Sequence, residues 1–434
     1  MSVLRAGFGR VDVTPKLGCK LVGYGGRDGG ATGVHDPLQA RAAVFEDAGG
    51  RWAVIAVEFL YLNADTVQEI RQAVTRRVGI PPSNVFASTI HTHAGPHDRH
   101  ADNWARPLPE IIADAVEAAC NALQRARIGG GFGVLYGFSI NRRYLDRPID
   151  PGVAVIRVDD AAGKPLGLIT NFACHAVVLG YDNYLISADW PGYACRQMEA
   201  ALGPGTTVMF LQGGSGDVNP LVKGVRARLR DGHPVIAIGD ISAYYGQADD
   251  PARWNIGDRG GGTFEEVAEL GEAFSEEALY VARHIRTTEP TAPAWSAQVT
   301  VEALADPGES TFQPPPLSLA LITEKPTAVT ERSIPAEVML LQVGDMLLVG
   351  EPGEVFSQTA VRIKAALRRM GYVTPMLVTY ANGWLAYLPE PDAFDEGGYE
   401  PGWPVRLGIS RDIQPRVWEA IEPILRQRAD SRRK

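Results

Sequence analysis

The sequence predicts an α/β fold with mixed β-sheets, flanking helices and a functional site at strand ends. Three observations predict it. A Gly- or Asp-containing turn between two apolar runs occurs three times. Each of these hairpins is followed by a stretch apolar at helical spacing, and each helix by one short apolar strand that runs into a polar loop. The three units share negligible sequence identity, so they are an architectural echo rather than a sequence repeat.

In the first unit, residues 40–45 and 52–60 form the hairpin around Asp47-Ala48-Gly49-Gly50, residues 64–78 the helix, and residues 85–90 the strand that enters His91-Thr92-His93. The second places strands at 153–158 and 166–174 around a turn at 159–164, a helix near 190–202, a strand at 207–211 and a loop at 213–219. The third has strands at 338–343 and 346–350 around Gly344-Asp345, a helix at 355–370, a strand at 376–380 and a loop at 382–387. Further helices are expected over 109–125, 264–285 and 411–425. Residues 222–262 lack sustained periodicity and read as a long loop or lid, and Gln313-Pro314-Pro315-Pro316 as a surface connection. The chain is read as a single catalytic domain spanning 1–434, with no additional C-terminal domain.

Composition narrows the function. Hydrophobic content of 45% and charged content of 21% are those of an ordinary globular protein. With 42 Lys and Arg against 51 Asp and Glu, no basic surplus exists to neutralise phosphates, which argues against a nucleic-acid partner. The N-terminus has no apolar signal-peptide core, and no apolar run reaches transmembrane length, so a cytoplasmic protein without an integral membrane segment is expected. Cys19, Cys120, Cys174 and Cys195 form no CxxC pair and read as buried thiols in a reducing compartment. No feature sets an oligomeric state.

The strongest chemical signal is His91-Thr92-His93-Ala94-Gly95-Pro96, directly after a strand. In an extended segment residues i and i+2 share a face, so both imidazoles can approach one centre. Neutral imidazole is a good zinc ligand, and a catalytic zinc needs about three protein ligands plus an open position. The alternative is two histidines hydrogen-bonded within a loop. His175 ends a predicted strand, where the third unit puts Glu354, so ligand-capable side chains recur at strand exits. His35, His233 and His284 lack such a setting; His97 and His100 read as a solvated loop, with a second metal as the alternative. Gly213-Gly214-Ser215-Gly216-Asp217 fails as a nucleophile elbow, because Asp217 stands where glycine is required. It also lacks the Gly-Lys-Ser/Thr ending of a phosphate loop, and reads as a turn that brings backbone close to a site.

An ordered set of segments resembles the neutral (alkaline, non-lysosomal) ceramidase family. It begins with Ala6-Gly7-Phe8-Gly9-Arg10-Val11-Asp12-Val13-Thr14, Gly23-Tyr24 and Val34-His35-Asp36-Pro37-Leu38-Gln39-Ala40-Arg41-Ala42, then the His91–Pro96 segment. It continues with Ile140-Asn141-Arg142, Cys174-His175, Ser187-Ala188-Asp189-Trp190-Pro191-Gly192-Tyr193-Ala194 and Gly216-Asp217-Val218-Asn219-Pro220. Pro352-Gly353-Glu354, Asn382 with Tyr387, and Tyr399-Glu400 complete it. The resemblance implies a zinc-dependent hydrolase that cleaves a linear amide with a metal-activated water, acting on a small N-acyl or lipid-like substrate. It implies His91, His175, Glu354 and Tyr387 as zinc ligands, His93 as a proton-transfer group, and Arg142 and Tyr399 as stabilisers of the oxyanion. Gly216, Asp217 and Asn219 would form the site loop.

One departure bears on mechanism. The family pattern has serine where this chain has Asn219, which cannot act as a nucleophile; a metal-water mechanism tolerates the change and a serine-nucleophile mechanism does not. The larger family members also carry an additional C-terminal domain. Two other readings are a metallo-esterase or lactonase on the same site, and a non-catalytic binding protein of the same fold.

Overall fold

A computed structural model describes residues 3–24, 27–144, 146–230, 262–305 and 333–432. The larger of the two main sheets contains β1 (Arg5–Asp12), β2 (Gln39–Asp47), β3 (Gly50–Val57), β4 (Val85–Thr89), β5 (Gln124–Val134), β6 (Gly152–Asp160), β7 (Pro165–Phe172) and β8 (Thr207–Gln212). Their order is β8-β7-β6-β5-β1-β2-β3-β4. The smaller sheet contains β9 (Trp295–Glu302), β10 (Pro335–Val343), β11 (Met346–Gly350) and β12 (Thr374–Val378), paired in chain order. The helices are α1 (Ala64–Val78), α2 (Leu108–Asn121), α3 (Asp189–Leu202), α4 (Lys223–Arg230), α5 (Phe264–His284), α6 (Ser357–Arg369), α7 (Pro391–Glu396), α8 (Tyr399–Leu407) and α9 (Ile413–Ser431).

The three expected units are present. In each, the hairpin is antiparallel (β2–β3, β6–β7, β10–β11) and the strand after the helix pairs parallel to the second hairpin strand (β3–β4, β7–β8, β11–β12). A parallel partner requires a crossover, which α1, α3 and α6 supply. Strands β1, β5 and β9 were not anticipated. In β5, Gly129, Gly130, Gly131 and Gly133 remove the side chains that would show alternation. Packing explains two of them: a Cβ on Gly130 would stand 2.0 Å from Thr374 Oγ1, and one on Gly131 2.9 Å from the Ile285 side chain. The helix expected at 109–125 stops at Asn121, where the chain turns into β5. The 222–262 loop expectation is corrected over Lys223–Arg230, which is helical; residues 231–261 and the Pro-rich segment lie outside the described residues.

Strand residues alternate between two buried faces. Ala42, Val44, Ile55 and Val57 pack with Val67, Ile70, Ile112 and Val116 of the helices. Ala43, Phe45, Val54 and Ala56 pack with Met339, Leu341 and Leu348 of the second sheet. On the far face of that sheet, Leu340, Leu347 and Val349 meet Ile363, Leu367, Val417 and Ile421. The result is a helix–sheet–sheet–helix sandwich, and burial on both faces explains why the strands read as nearly continuous apolar runs. Among the described residues no helix is long and apolar enough to cross a membrane.

Gln212, at the end of β8, joins the exits of all three units. Its Nε2 donates to Ile90 O (3.2 Å) beyond β4 and to Cys174 O (2.8 Å) beyond β7, and its own carbonyl accepts from Thr379 N (2.9 Å) beyond β12. The polar loops that leave these strands are thereby forced to one place.

Glu351, just after β11, is fully buried with one described partner, Gln414 Nε2 at 2.8 Å, and its Oε1 has none. Burial raises its pKa from 4.5 to about 7. The unfolded chain therefore ionises first, and wild-type stability should fall as pH rises from about 4.5 to about 7, by an amount on the order of 3 kcal/mol. Glu351→Gln should remove this slope, leaving the variant more stable than wild type at pH 8. Urea denaturation at pH 5 and pH 8 checks it; an unchanged slope would show that Glu351 is not its source.

Candidate metal centre and active site

The site forms where the exits meet. β4 ends at Thr89, and His91 adopts a left-handed conformation (φ 66°) with its N–H on Phe59 O (2.9 Å). The extended i, i+2 geometry expected for His91 and His93 is thus replaced by a turn. Their rings still converge, edge to face with centroids 4.8 Å apart and Nε2 atoms 3.2 Å apart. Of the five non-glycine residues with positive φ among the described residues, His91, Tyr380, Asn382 and Ala386 lie in two of the segments that build this site. Backbone strain held by surrounding structure is concentrated there.

His175 follows β7, with its ring fully buried. Its Nδ1 bonds to Ser215 O (2.6 Å), as His91 Nδ1 does to Leu60 O (2.8 Å). A carbonyl only accepts, so each Nδ1 carries the proton and each Nε2 turns a lone pair inward. Burial lowers the pKa of both rings, that of His91 to about 3, so both are neutral at pH 7. Glu354 Oε2 lies 3.3 Å from His175 Nε2 and 3.5 Å from His91 Nε2. The inward Nε2 lone pairs of His91 and His175 and the Glu354 carboxyl group thus face one another, an arrangement that a cation among them would stabilise. His91, His93 and His175 bring one nitrogen each to within 4.8 Å of one another. Neutral imidazoles with a carboxylate are a donor set that fits zinc.

His93 is held differently. Its carbonyl accepts from the buried Arg27 guanidinium, and its ring packs on Tyr24 at 4.9 Å. Gly23 (φ 105°) is needed there, because a Cβ would come within 2.4 Å of His93 Nδ1. That Nδ1 is buried without a hydrogen-bond partner. No carbonyl decides which nitrogen of His93 carries the proton, so its tautomer is not fixed as those of His91 and His175 are; burial, with His91 and His175 beside it, holds its pKa well below the ordinary imidazole value.

The two oxygens of Glu354 are kept apart. Trp384 Nε1 donates to Oε1 (3.3 Å), while Tyr380 OH donates to Oε2 (3.3 Å) and its ring stacks on His91 at 3.9 Å. Trp384 in turn stacks on Tyr61 at 4.4 Å. Trp384→Phe keeps the stack and removes the donor, and it should weaken metal binding by roughly tenfold, the lower range for loss of a partner that orients a ligand. Competition with a chromogenic chelator measures this; unchanged affinity would show that the indole N–H does not orient Glu354.

Arg142 links the remaining groups. Its Nε donates to Glu400 Oε1 (2.8 Å), its Nη2 to Tyr387 OH (2.8 Å), and its Nη1 lies 3.3 Å from both Asn219 Oδ1 and His175 Nε2. Burial alone would lower its pKa, but Tyr387, Glu400 and Glu354 more than offset this and hold it well above the ordinary value. Tyr387 pairs in parallel register with Glu354, which brings both residues to the cluster, and Tyr399 packs edge-on to Tyr387 at 5.6 Å. Burial raises the Tyr399 phenol to about 12.

The loop residues divide by role. A Cβ on Gly216 would stand 2.5 Å from Glu354 O, so only glycine lets the two segments approach. Asp217 accepts from Ser357 N (2.7 Å) and Asn141 Nδ2 (2.7 Å), fastening the loop to α6 and to the residue that precedes Arg142. Asn219 alone of the three touches a site side chain, through Arg142.

His97 and His100 do not join the centre. His97 Nδ1 accepts from Arg99 N (3.1 Å), and among the described residues the pair belongs to no metal-holding group. His35 stacks on Phe264 and His284 bonds to Tyr280 O, while His233 lies outside the described residues. Sequence reasoning missed Tyr380, Trp384, Glu400 and Gln212 as site residues. Glu400 alone carried a signal, as the neighbour of Tyr399 in a matching segment; the aromatics were indistinguishable from core.

No family model matches the chain. It is 27% identical over 266 residues to the neutral ceramidase of Mycobacterium tuberculosis, covering 51% of this chain and 41% of that protein. It is 29% identical over 276 residues to neutral ceramidase B of Dictyostelium discoideum, covering 54% of this chain and 37% of that one. The match thus spans about two fifths of these relatives' length. In structure, 99% of the chain superposes on 75% of the neutral ceramidase of Pseudomonas aeruginosa with a TM-score of 0.76 at 20% identity. A ceramidase complexed with C2 gives a TM-score of 0.73 at 19% identity over 76% of that chain.

Proposed function

We propose that this neutral ceramidase-like domain is a zinc-dependent hydrolase of a linear N-acyl amide. One observation carries the proposal: two imidazoles with carbonyl-anchored Nδ1 atoms turn their Nε2 atoms to one buried glutamate side chain, at 3.3 and 3.5 Å. His91, His175 and Glu354 would hold zinc, with Tyr387 as the fourth ligand, its hydroxyl supported by Arg142 Nη2. Zinc held there would polarise the amide carbonyl and acidify a water.

The chain's own residues supply the rest. His93, whose Nε2 faces the cluster and whose tautomer no carbonyl fixes, takes a proton from the attacking water and passes it to the departing amine. Arg142, permanently charged and fixed by Glu400, stabilises the oxygen that gains negative charge, with Tyr399 beside it. Asn219 offers no nucleophile, so water is the attacking group. The three units act as one catalytic domain because their exits all contribute to this site. Ceramide itself is a candidate by likeness only, and a smaller N-acyl compound is an equal one.

Elemental analysis of the purified protein, with amine release from a panel of N-acyl amides before and after chelation, tests the reading. About one zinc per chain and chelator-sensitive release are expected. Absence of metal even after zinc is supplied would overturn it.

A further inference from the structure

The side chain of Asn219 has a fixed orientation. Its Oδ1 lies 3.3 Å from Arg142 Nη1, and a guanidinium only donates, so the oxygen and not the nitrogen must face the arginine. The same Nη1 is 3.3 Å from His175 Nε2, which places the carboxamide at the edge of the metal cluster. The two Nδ2 hydrogens therefore point away from Arg142, and no described residue accepts them. The side chain is half-buried and its nitrogen is not sealed from solvent. Arg142 donates to Glu400, Tyr387 and Asn219, and Tyr380 and Trp384 donate to Glu354.

We infer that Asn219 is a specificity-determining residue whose Nδ2 donates to an acceptor oxygen of the substrate, within a few bonds of the scissile amide. The inference rests on the amide-hydrolase reading of the same site and narrows it to amides that carry such an oxygen. A serine here would present one hydroxyl hydrogen, whereas Asn219, with its oxygen turned to Arg142, offers its two Nδ2 hydrogens as donors. A site built around a polar contact discriminates against analogues that leave its donor unpaired.

The test uses the full chain loaded with zinc and pairs of N-octanoyl-type amides in which one methylene, in the amine half or the acyl half, is replaced by an ether oxygen. An ether accepts and never donates, and the replacement hardly changes shape. Wild type should prefer the ether member of at least one pair by roughly tenfold or more in kcat/KM. Asn219→Asp keeps the acceptor for Arg142 and deletes both donors, so the preference should fall to near unity with zinc content unchanged; Asn219→Ala gives a second, uncharged reading of the same loss. No preference in any pair, or a preference that survives both variants, would overturn the inference. Binding of the same pairs, measured by calorimetry, separates it from the hydrolase reading. Asn219-dependent preference in binding without cleavage would support the inference and defeat the hydrolase; cleavage without preference would do the reverse.

Discussion

Replacing His175 by alanine should remove bound zinc and amide hydrolysis together. The ring is fully buried, and its Nδ1 is fixed by Ser215 O at 2.6 Å, so Nε2 is presented to the cluster already desolvated and in the ligating tautomer. Arg142 Nη1, 3.3 Å from Nε2, carries positive charge and repels a metal, so it cannot take over. Zinc occupancy should fall from about one per chain to near zero at micromolar free zinc. Activity should fall at least about 10³-fold, the scale lost with a principal transition-state stabiliser. The substitution also leaves a cavity and an unpaired Ser215 carbonyl, so His175→Gln, which fills most of the space, serves as a control for folding, and both variants are checked by thermal melting. Full zinc occupancy in a folded His175→Ala protein would show that this histidine is not a ligand.

The limits of the sequence reading have physical causes. The three units were legible because each parallel strand is buried on both faces, so residues such as Val54, Ile55 and Val57 form an apolar run whichever way they point. β5 was not legible, since its glycines are selected for close packing against Thr374 and Ile285 and leave no alternation to read. His91, His93, His175 and Glu354 stood out because polar groups at apolar strand exits are costly unless they do something. What the pattern could not show is why those exits meet. That depends on Gln212, whose side-chain amide spans Ile90 and Cys174, 122 and 38 positions away. The Arg142–Glu400 pair is equally invisible at a separation of 258 positions. His91 shows the opposite case: the two histidines do converge, but through a left-handed turn rather than strand alternation.

His93→Ala should separate from His175→Ala in its phenotype. Zinc should remain at about one per chain, while turnover falls by roughly 10²–10⁴, the usual contribution of a positioned acid–base group. Two of the three imidazoles anchor Nδ1 on backbone carbonyls, which fixes the tautomer a ligand needs, whereas the tautomer of His93 is not fixed. Its placement does not depend on the metal, because Arg27 holds its carbonyl and Tyr24 and Gly23 hold its ring. Comparing zinc content and kcat of His93→Ala with those of Tyr387→Phe decides the fourth ligand. If zinc survives the loss of His93 but is weakened by the loss of the Tyr387 hydroxyl, the centre is His91, His175, Glu354 and Tyr387, and His93 moves protons. If zinc is lost with His93 and indifferent to Tyr387, the centre is instead three imidazoles and a carboxylate. Tyr387 then serves only to orient Arg142, and the proton must be moved by another group.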